Sequence, residues 1–286
     1  MDNITVRLLN KDLLDALHQC WIAAFSDYQV PIHMTKEHFV INLNQTGADL
    51  DASSGAFAGD KMVGFIINGI RRFEGALTAY DVGTAMVREY RGKGLSKRLF
   101  SVAEEKTLKL GVKQYLLEVI CDNEPAYNAY LKTGFKVTRE FECFKAGSVN
   151  AKTEKRNDIK IEPALFEECA PLAPSMLEYK TSWQNTLDAA GAIKDTLACF
   201  VARSGKGLVG YAIFQKTRRR MLQIGALPEL RTDGVYEMLV DAGARALGNG
   251  DITIVNLPNE AVCTKVAVKN CGFGLLIRQY EMVKRY

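Results

Sequence analysis

The 286-residue sequence contains no uninterrupted apolar run of about 18 residues, the length a membrane-crossing helix needs. Its first residues, MDNITVRLLNKD, lack the basic and apolar regions of a secretory leader. Seven cysteines (Cys20, Cys121, Cys143, Cys169, Cys199, Cys263 and Cys271) are odd in number and never spaced CxxC. That argues against a disulfide framework or a zinc site, so reduced thiols in a cytoplasmic protein are expected and no metal is. Histidine is scarce: His18, His33 and His38 all lie in the first 40 residues. No GxSxG nucleophile turn accompanies them, so a histidine-based triad has no support. His18 is expected on a helix flank and the other two on a loop. The excess of one charge sign is small, +4 with a pI near 8.6. This balance suits an anionic small molecule and is too weak to argue for nucleic acid.

What is present is ordinary globular material. Apolar residues make up 48% and charged residues 24%, and a chain of this length suggests two domains with a core each. Residues 3–9 alternate as a strand, and a helical stripe follows from Lys11 to about Phe25, carried by Leu13, Leu14, Leu17 and Trp21. A shorter helix starts after Thr35. Strand runs at 55–58 and 61–70 flank Gly59-Asp60, a tight-hairpin signal, and Leu77–Val87 is a third. A helix spans about 94–110, with Leu95, Leu99, Val102 and Ala103 inward and Gly111 as its stop. A strand at 114–120, a short helix at 124–132 and a strand at 135–145 complete this half.

Residues 147–159 are polar and read as a linker between domains at 1–146 and 160–286. Beyond it the element order partly recurs: a helix-rich stretch at 163–198, a hairpin at 204–207, strands at 208–215 and 221–227, a helix from Gly234, a strand at 252–255, and a final CGFGLLIRQYEMVK. The order looks duplicated although the residues diverge.

Residues 89–99, EYRGKGLSKRL, join the third strand to its helix. Backbone N–H groups at a helix N-terminus lack intrahelical partners and sit at the positive end of the dipole, which suits phosphate. Gly92 and Gly94 let the chain approach a ligand, and Arg91 and Lys93 add charge. It is neither a Walker loop nor a dinucleotide fingerprint: Gly205-Lys206 is followed by Gly207, and Lys97 stands where a third glycine would. The loop alone leaves an incidental surface turn open.

Downstream, 123–135 reads NEPAYNAYLKTGF between two strands. Arg91-x-x-Gly94-x-Ser96, followed by Asn123, Tyr130, Gly134 and Phe135, resembles the GNAT superfamily of N-acetyltransferases over about residues 3–145. Ser96 is a small departure at the last loop position. The resemblance implies an α/β fold of two tandem GNAT-like domains, each a mixed, mostly antiparallel sheet flanked by helices. It implies acetyl-coenzyme A as co-substrate and an amine-bearing acceptor. Its pyrophosphate would lie on the N–H groups of Gly92, Lys93, Gly94, Leu95 and Ser96. Its pantetheine would lie between splayed strands against Met86 and Val87, with an N–H near Val87 polarising the thioester.

By the same likeness Tyr130 is the general acid, the alternative being a buried aromatic. Asn123 contacts pantetheine amides, caps the following helix, or does both. Asp81 and Glu118 are the carboxylates best placed as general base, each with a solvated or structural alternative. Cys121 reads as a small buried residue. In the second half Gly272-Phe273 recurs, but Val268 stands where the tyrosine would. LRTDGVY keeps Arg231 and Gly234, while Thr232, Asp233 and Tyr236 replace the loop's glycine, lysine and small residue. An aspartate repels phosphate and a tyrosine crowds it, so this half reads as a degenerate copy. Arg218-Arg219-Arg220 reads as a solvated hairpin edge or a lure for an acidic acceptor, and Tyr179 and Trp183 as core or cleft. The expected function is acetyl transfer to a primary amine; the alternative is a non-catalytic acyl-coenzyme A-binding module.

Overall fold

Helix boundaries follow capping chemistry. In the computed structural model, which describes residues 4–27, 34–151, 156–205 and 207–286, Thr35 accepts a hydrogen bond from the His38 N–H at 3.2 Å. It thereby starts α2 (Lys36–Thr46), which ends at Gly47 in the left-handed region. The other elements of the first half are β1 (Ile4–Leu8), α1 (Leu14–Phe25), β2 (Ala48–Ala58), β3 (Lys61–Phe73), β4 (Ala76–Met86), α3 (Leu95–Lys109), β5 (Gln114–Ile120), α4 (Glu124–Lys132) and β6 (Lys136–Ala146). The second half carries β7 (Ile159–Ala164), the short helices α5 (Phe166–Cys169), α6 (Ala173–Met176) and α7 (Leu187–Gly191), then β8 (Leu197–Ser204), β9 (Gly207–Gln215), β10 (Arg220–Ala226), α8 (Val235–Leu247), β11 (Ile252–Pro258), α9 (Val262–Asn270) and β12 (Gly274–Arg285). His33 and Lys206 lie outside the described residues.

Two compact units result, and they do not coincide with the sequence halves. The first comprises residues 1–118, 131–136 and 282–286; the second comprises 119–130 and 137–281. In the first, β1, β2, β3 and β4 pair antiparallel in chain order and β5 joins β4 in parallel. In the second, β7, β8, β9 and β10 repeat the antiparallel order and β11 joins β10 in parallel. There β11 takes β6, the strand that ends the first half, as its antiparallel neighbour. Conversely, the first unit takes up the end of β12: the Tyr286 N–H donates to Lys113 O at 3.0 Å, and Lys284 Nζ meets Glu104 at 2.5 Å. Within each unit the strand pairing is mixed and mostly antiparallel, as expected.

The first unit buries the stripe of α1 under β3, where Trp21 stacks on Phe65 with ring centroids 5.4 Å apart. Leu95, Leu99 and Ala103 of α3 cover Val63 and Ile66. Fully burying side chains of this size contributes about 1.5–3 kcal/mol each. The second unit has its own core, in which Phe214, Leu239 and Tyr236 are fully enclosed. No helix among the described residues is long and apolar enough to cross a membrane.

Three elements depart from the sequence reading. β2 begins at Ala48, seven residues before the expected Gly55, because its polar residues find partners inside: Ser53 Oγ donates to Asp49 O at 2.6 Å, and Ser54 Oγ to Leu99 O at 2.8 Å. β7 begins where the linker was expected to end and carries Pro163, tolerated because this strand lies at the sheet edge. The helix-rich stretch is broken into short turns, with Pro171 and Pro174 near their starts.

Candidate functional site

In the first unit, β4 and β5 are paired only at Thr78–Gln114, Ala79–Tyr115 and Tyr80–Leu116. Beyond those pairs β4 runs on to Met86, still held by β3, so its other edge is released from β5. The Val87 N–H donates to Val63 O at 2.9 Å. Antiparallel bonding alternates, so Ala85 and the Val87 N–H point at β3, the Val87 carbonyl turning to the Tyr90 N–H, while Thr84 and the Met86 N–H point into the opening. This corrects one expectation: the Val87 N–H is committed to the ladder, and the N–H groups facing the gap belong to Thr84 and Met86.

β4 leads through a single tight turn at Arg88–Tyr90 into the glycine loop. Gly92 and Gly94 have φ of 73° and 71°, and a Cβ at either would meet nothing within 4 Å. The loop is therefore open to solvent, and its glycines answer to conformation rather than crowding. Gly94 is the N-cap of α3, no side chain caps that end, and its first turn holds no acid. Gly92, Lys93, Gly94 and Ser96 are exposed, while Leu95 is buried and pins the helix start. Lys93 Nζ lies 5.1 Å from the Tyr90 ring centroid. Uncapped N–H groups at the end of a 15-residue helix, beside a lysine, suit a polyanion such as a pyrophosphate.

Arg91 is placed differently from the rest of the loop. Its guanidinium grips Asp27 through both carboxylate oxygens at 2.7 and 2.8 Å, and also donates to Met86 O and Ala24 O at 2.9 Å each. The Arg91 hydrogen bond holds the Asp27 carboxyl below the usual carboxylate range. Arg91 thus braces the loop against α1 instead of presenting free charge to a ligand. Asp27 was missed by sequence reasoning, since an acid 64 residues upstream gives no local signal.

Both candidate bases sit in the first unit and are half-buried. Asp81 accepts from Thr84 Oγ1 at 2.7 Å, beside a register shift in the β3–β4 ladder. Glu118 accepts from Tyr80 OH at 3.1 Å. Asn123 and Tyr130 belong to the second unit. Asn123 caps α4, its Oδ1 accepting from Ala126 N–H at 3.3 Å and its carbonyl from Tyr127 N–H at 3.0 Å. Tyr130 lies half-buried on α4. Burial, aided by Glu140, pushes the Cys121 thiol up, away from thiolate chemistry. His18 bonds Met34 O at 2.9 Å and packs on Phe39, a structural role.

The second unit has a matching parting of strands. β10 and β11 pair only at Arg220–Thr253 and Met221–Ile254. Here the opening is bridged by the chain itself: Asn185 O accepts from Gln223 Nε2 at 2.5 Å, and Asn185 Nδ2 donates to Val255 O at 2.8 Å. Ser182, Trp183 and Asn185 are almost wholly buried. Glu178 closes the N-terminus of α9, accepting from the N–H groups of Cys263 and Thr264 at 2.7 and 3.0 Å. Tyr236, at the small loop position, is fully buried, and Asp233 pairs with Arg156 at 3.1 Å. Arg219 clamps carbonyls after α8, including Gly248 O and Gly250 O, and Arg220 is buried against Gln184. Tyr179 and Trp183 are core residues.

Residues 10–135 match the family model described as "Acetyltransferase (GNAT) family". A mycothiol acetyltransferase of Corynebacterium aurimucosum is 36% identical over 61 residues, 21% of this chain and 19% of that protein. A GCN5-related N-acetyltransferase of Sphaerobacter thermophilus matches in structure with a TM-score of 0.73 and 13% identity, covering 100% of this chain and 96% of that one. A tandem GNAT protein from the clavulanic acid biosynthesis pathway matches with a TM-score of 0.69 and 13% identity over 99% of this chain and 98% of that one. Residues 10–135, which hold the glycine loop and most of the strand opening, are thus similar to GNAT acetyltransferases, and the whole chain has the fold of tandem GNAT proteins.

Proposed function

We propose that the first half transfers the acetyl group of acetyl-coenzyme A to a primary amine, and that the second half retains the fold without the cofactor. The observation that carries this reading is the release of the Thr84–Met86 edge immediately before a glycine-capped helix N-terminus. The N–H groups of Gly92–Ser96 hold the pyrophosphate, with Lys93 adding charge. The outward groups of Thr84 bond the pantetheine as an added strand would, while the Met86 carbonyl stays with Arg91, and by the family likeness Asn123 contacts the pantetheine amides.

The Met86 N–H polarises the thioester carbonyl, a donor of the kind that contributes about 3 kcal/mol to the transition state. Asp81 or Glu118 accepts the amine's proton, directly or through water. Tyr130 protonates the departing thiolate; a phenol with pKa about 10 matches a thiol acid of similar strength. The sequence halves at 1–146 and 160–286, joined by 147–159, are read as the two duplicated domains, in a cytoplasmic protein.

Thiol release from acetyl-coenzyme A is measured across a panel of small amines, polyamines and peptides, comparing wild type with Tyr130→Phe. Tyrosine-dependent release with at least one acceptor is expected. Coenzyme A binding without release from any acceptor overturns transfer and leaves a non-catalytic binding module.

A further inference from the structure

The spacing Arg-x-x-Gly leads into the long helix of each half, α3 and α8, and its arginine does the same thing both times. Arg91 donates from Nε to Met86 O, five residues back, and from Nη2 to Ala24 O at the end of α1. Arg231 donates from Nε to Ala226 O at 3.3 Å, also five residues back, and from Nη2 to Met176 O and Leu177 O at the end of α6, both at 3.2 Å. Gly94 and Gly234 are both left-handed N-caps, with φ of 71° and 83°. In the second half Thr232 and Asp233 have replaced the glycine and lysine that favour phosphate, and Asn185 closes the opening. The arginine survives there all the same. Its constant task is to fix the end of a strand to the end of a helix.

One difference separates the two braces. Arg91 has a carboxylate partner, Asp27, held in a two-pronged contact; the bonds of Arg231 go to backbone carbonyls. Four of the five guanidinium hydrogens of Arg91 are thereby used, two of them on Asp27. The half whose loop kept Gly92 and Lys93 is the half whose brace carries the carboxylate.

We propose that Asp27 is a positioning residue for the cofactor loop, acting through Arg91 to hold the Met86 carbonyl and the Gly92–Gly94 turn in register for a pyrophosphate-bearing ligand. This rests on the acetyl-coenzyme A reading above. A planar fork with two parallel bonds fixes direction as well as distance, which a single lysine-type contact would not. Because the pair is partly exposed, its effect falls on loop geometry and only slightly on global stability.

The test uses the full chain and coenzyme A itself, with calorimetric Kd as the first readout and the KM and kcat for acetyl-coenzyme A as the second. Asp27→Asn is expected to weaken coenzyme A binding about tenfold and raise KM in step, with a smaller change in kcat. Asp27→Asn added to Arg91→Gln weakens binding no further, because both remove one contact. Arg231→Gln lowers the melting temperature and leaves the coenzyme A Kd unchanged, which a generic effect of losing a brace would not do. Should Asp27→Asn fail to fold, Asp27→Glu, which keeps the charge and shifts the fork, reports the same loss in smaller measure. Wild-type affinity in the Asp27 variants, or full additivity with Arg91→Gln, overturns the proposal. A wild-type chain that binds no coenzyme A overturns the acetyl-coenzyme A reading itself, and the two failures are told apart by the wild-type titration.

Discussion

Arg91 and Arg231 each donate from Nε to the carbonyl five residues before them, Met86 O and Ala226 O, at 2.9 and 3.3 Å. The shared bond separates what a duplicated loop keeps for folding from what it keeps for a ligand. Folding keeps the arginine and the left-handed glycine; the residues that face outward are free to diverge.

Grafting the second loop onto the first tests that separation. Gly92→Thr with Lys93→Asp is expected to weaken coenzyme A binding at least tenfold, mainly through repulsion between Asp and phosphate, and most strongly at low salt. The Kd is read by calorimetry at two ionic strengths. A loss independent of salt would point to loop distortion instead, since Thr would occupy the φ of 73° that Gly92 adopts.

Only one cofactor per chain is expected, because Asn185 spans the second opening from Gln223 to Val255. Native mass spectrometry with excess coenzyme A should show a single adduct. Asn185→Ala leaves the Gln223 side-chain contact to the main chain but removes the side-chain donor of the half-buried Val255 carbonyl. It should cost about 1–3 kcal/mol in a denaturant titration. A second adduct in the wild type would contradict the self-closed opening.

Acid should loosen the loop before it unfolds the core. The folded pKa of Asp27 lies below its ordinary 3.8, the Arg91 hydrogen bond being the largest cause. The contribution of the pair is therefore complete above the unfolded carboxylate pKa and fades as pH falls through the lower folded value. Hydrogen exchange at Gly92–Ser96 should rise in that window in the wild type. In Asp27→Asn it should already be raised at pH 6.

Lys284 and Tyr286 both bond Glu104 on α3, each at 2.5 Å, and the Tyr286 N–H reaches Lys113 O. Deleting residues 282–286 should expose the amides of α3 and β5 to exchange while leaving those of β8 and β9 protected. Uniform loss across both units would show that they unfold as one.

Much of this architecture was written locally. Thr35, Gly47, Gly94 and Gly111 mark helix ends through capping and positive φ, and Gly59-Asp60 closes the β2–β3 hairpin, so these boundaries could be read without neighbours. The opening of β2 could not, because Ser53 and Ser54 read as loop residues until Asp49 O and Leu99 O supply their partners. The exchange of β6 and β12 was equally hidden, since alternation along a strand reveals its faces but not its neighbour. In the candidate site the glycine loop, Asn123 and Tyr130 stood out as motif positions. Asp27, Thr84, Glu178 and Asn185 did not, because each matters through a contact set by the folded chain. Val87 was misjudged for the same reason: which N–H of a strand faces outward depends on the ladder phase, fixed by Val63.

Residues 282–286 complete a unit that otherwise ends at residue 136. On the ribosome, β1 to β5 emerge early, yet the strand segment that bonds Lys113 and Glu104 is synthesised after the whole of the second unit. At about 5–20 residues per second the nascent first unit waits on the order of ten seconds for its closing strand. Through that interval β5 presents an unpaired edge, and the order of translation, as much as the final energy, decides which strand it first meets.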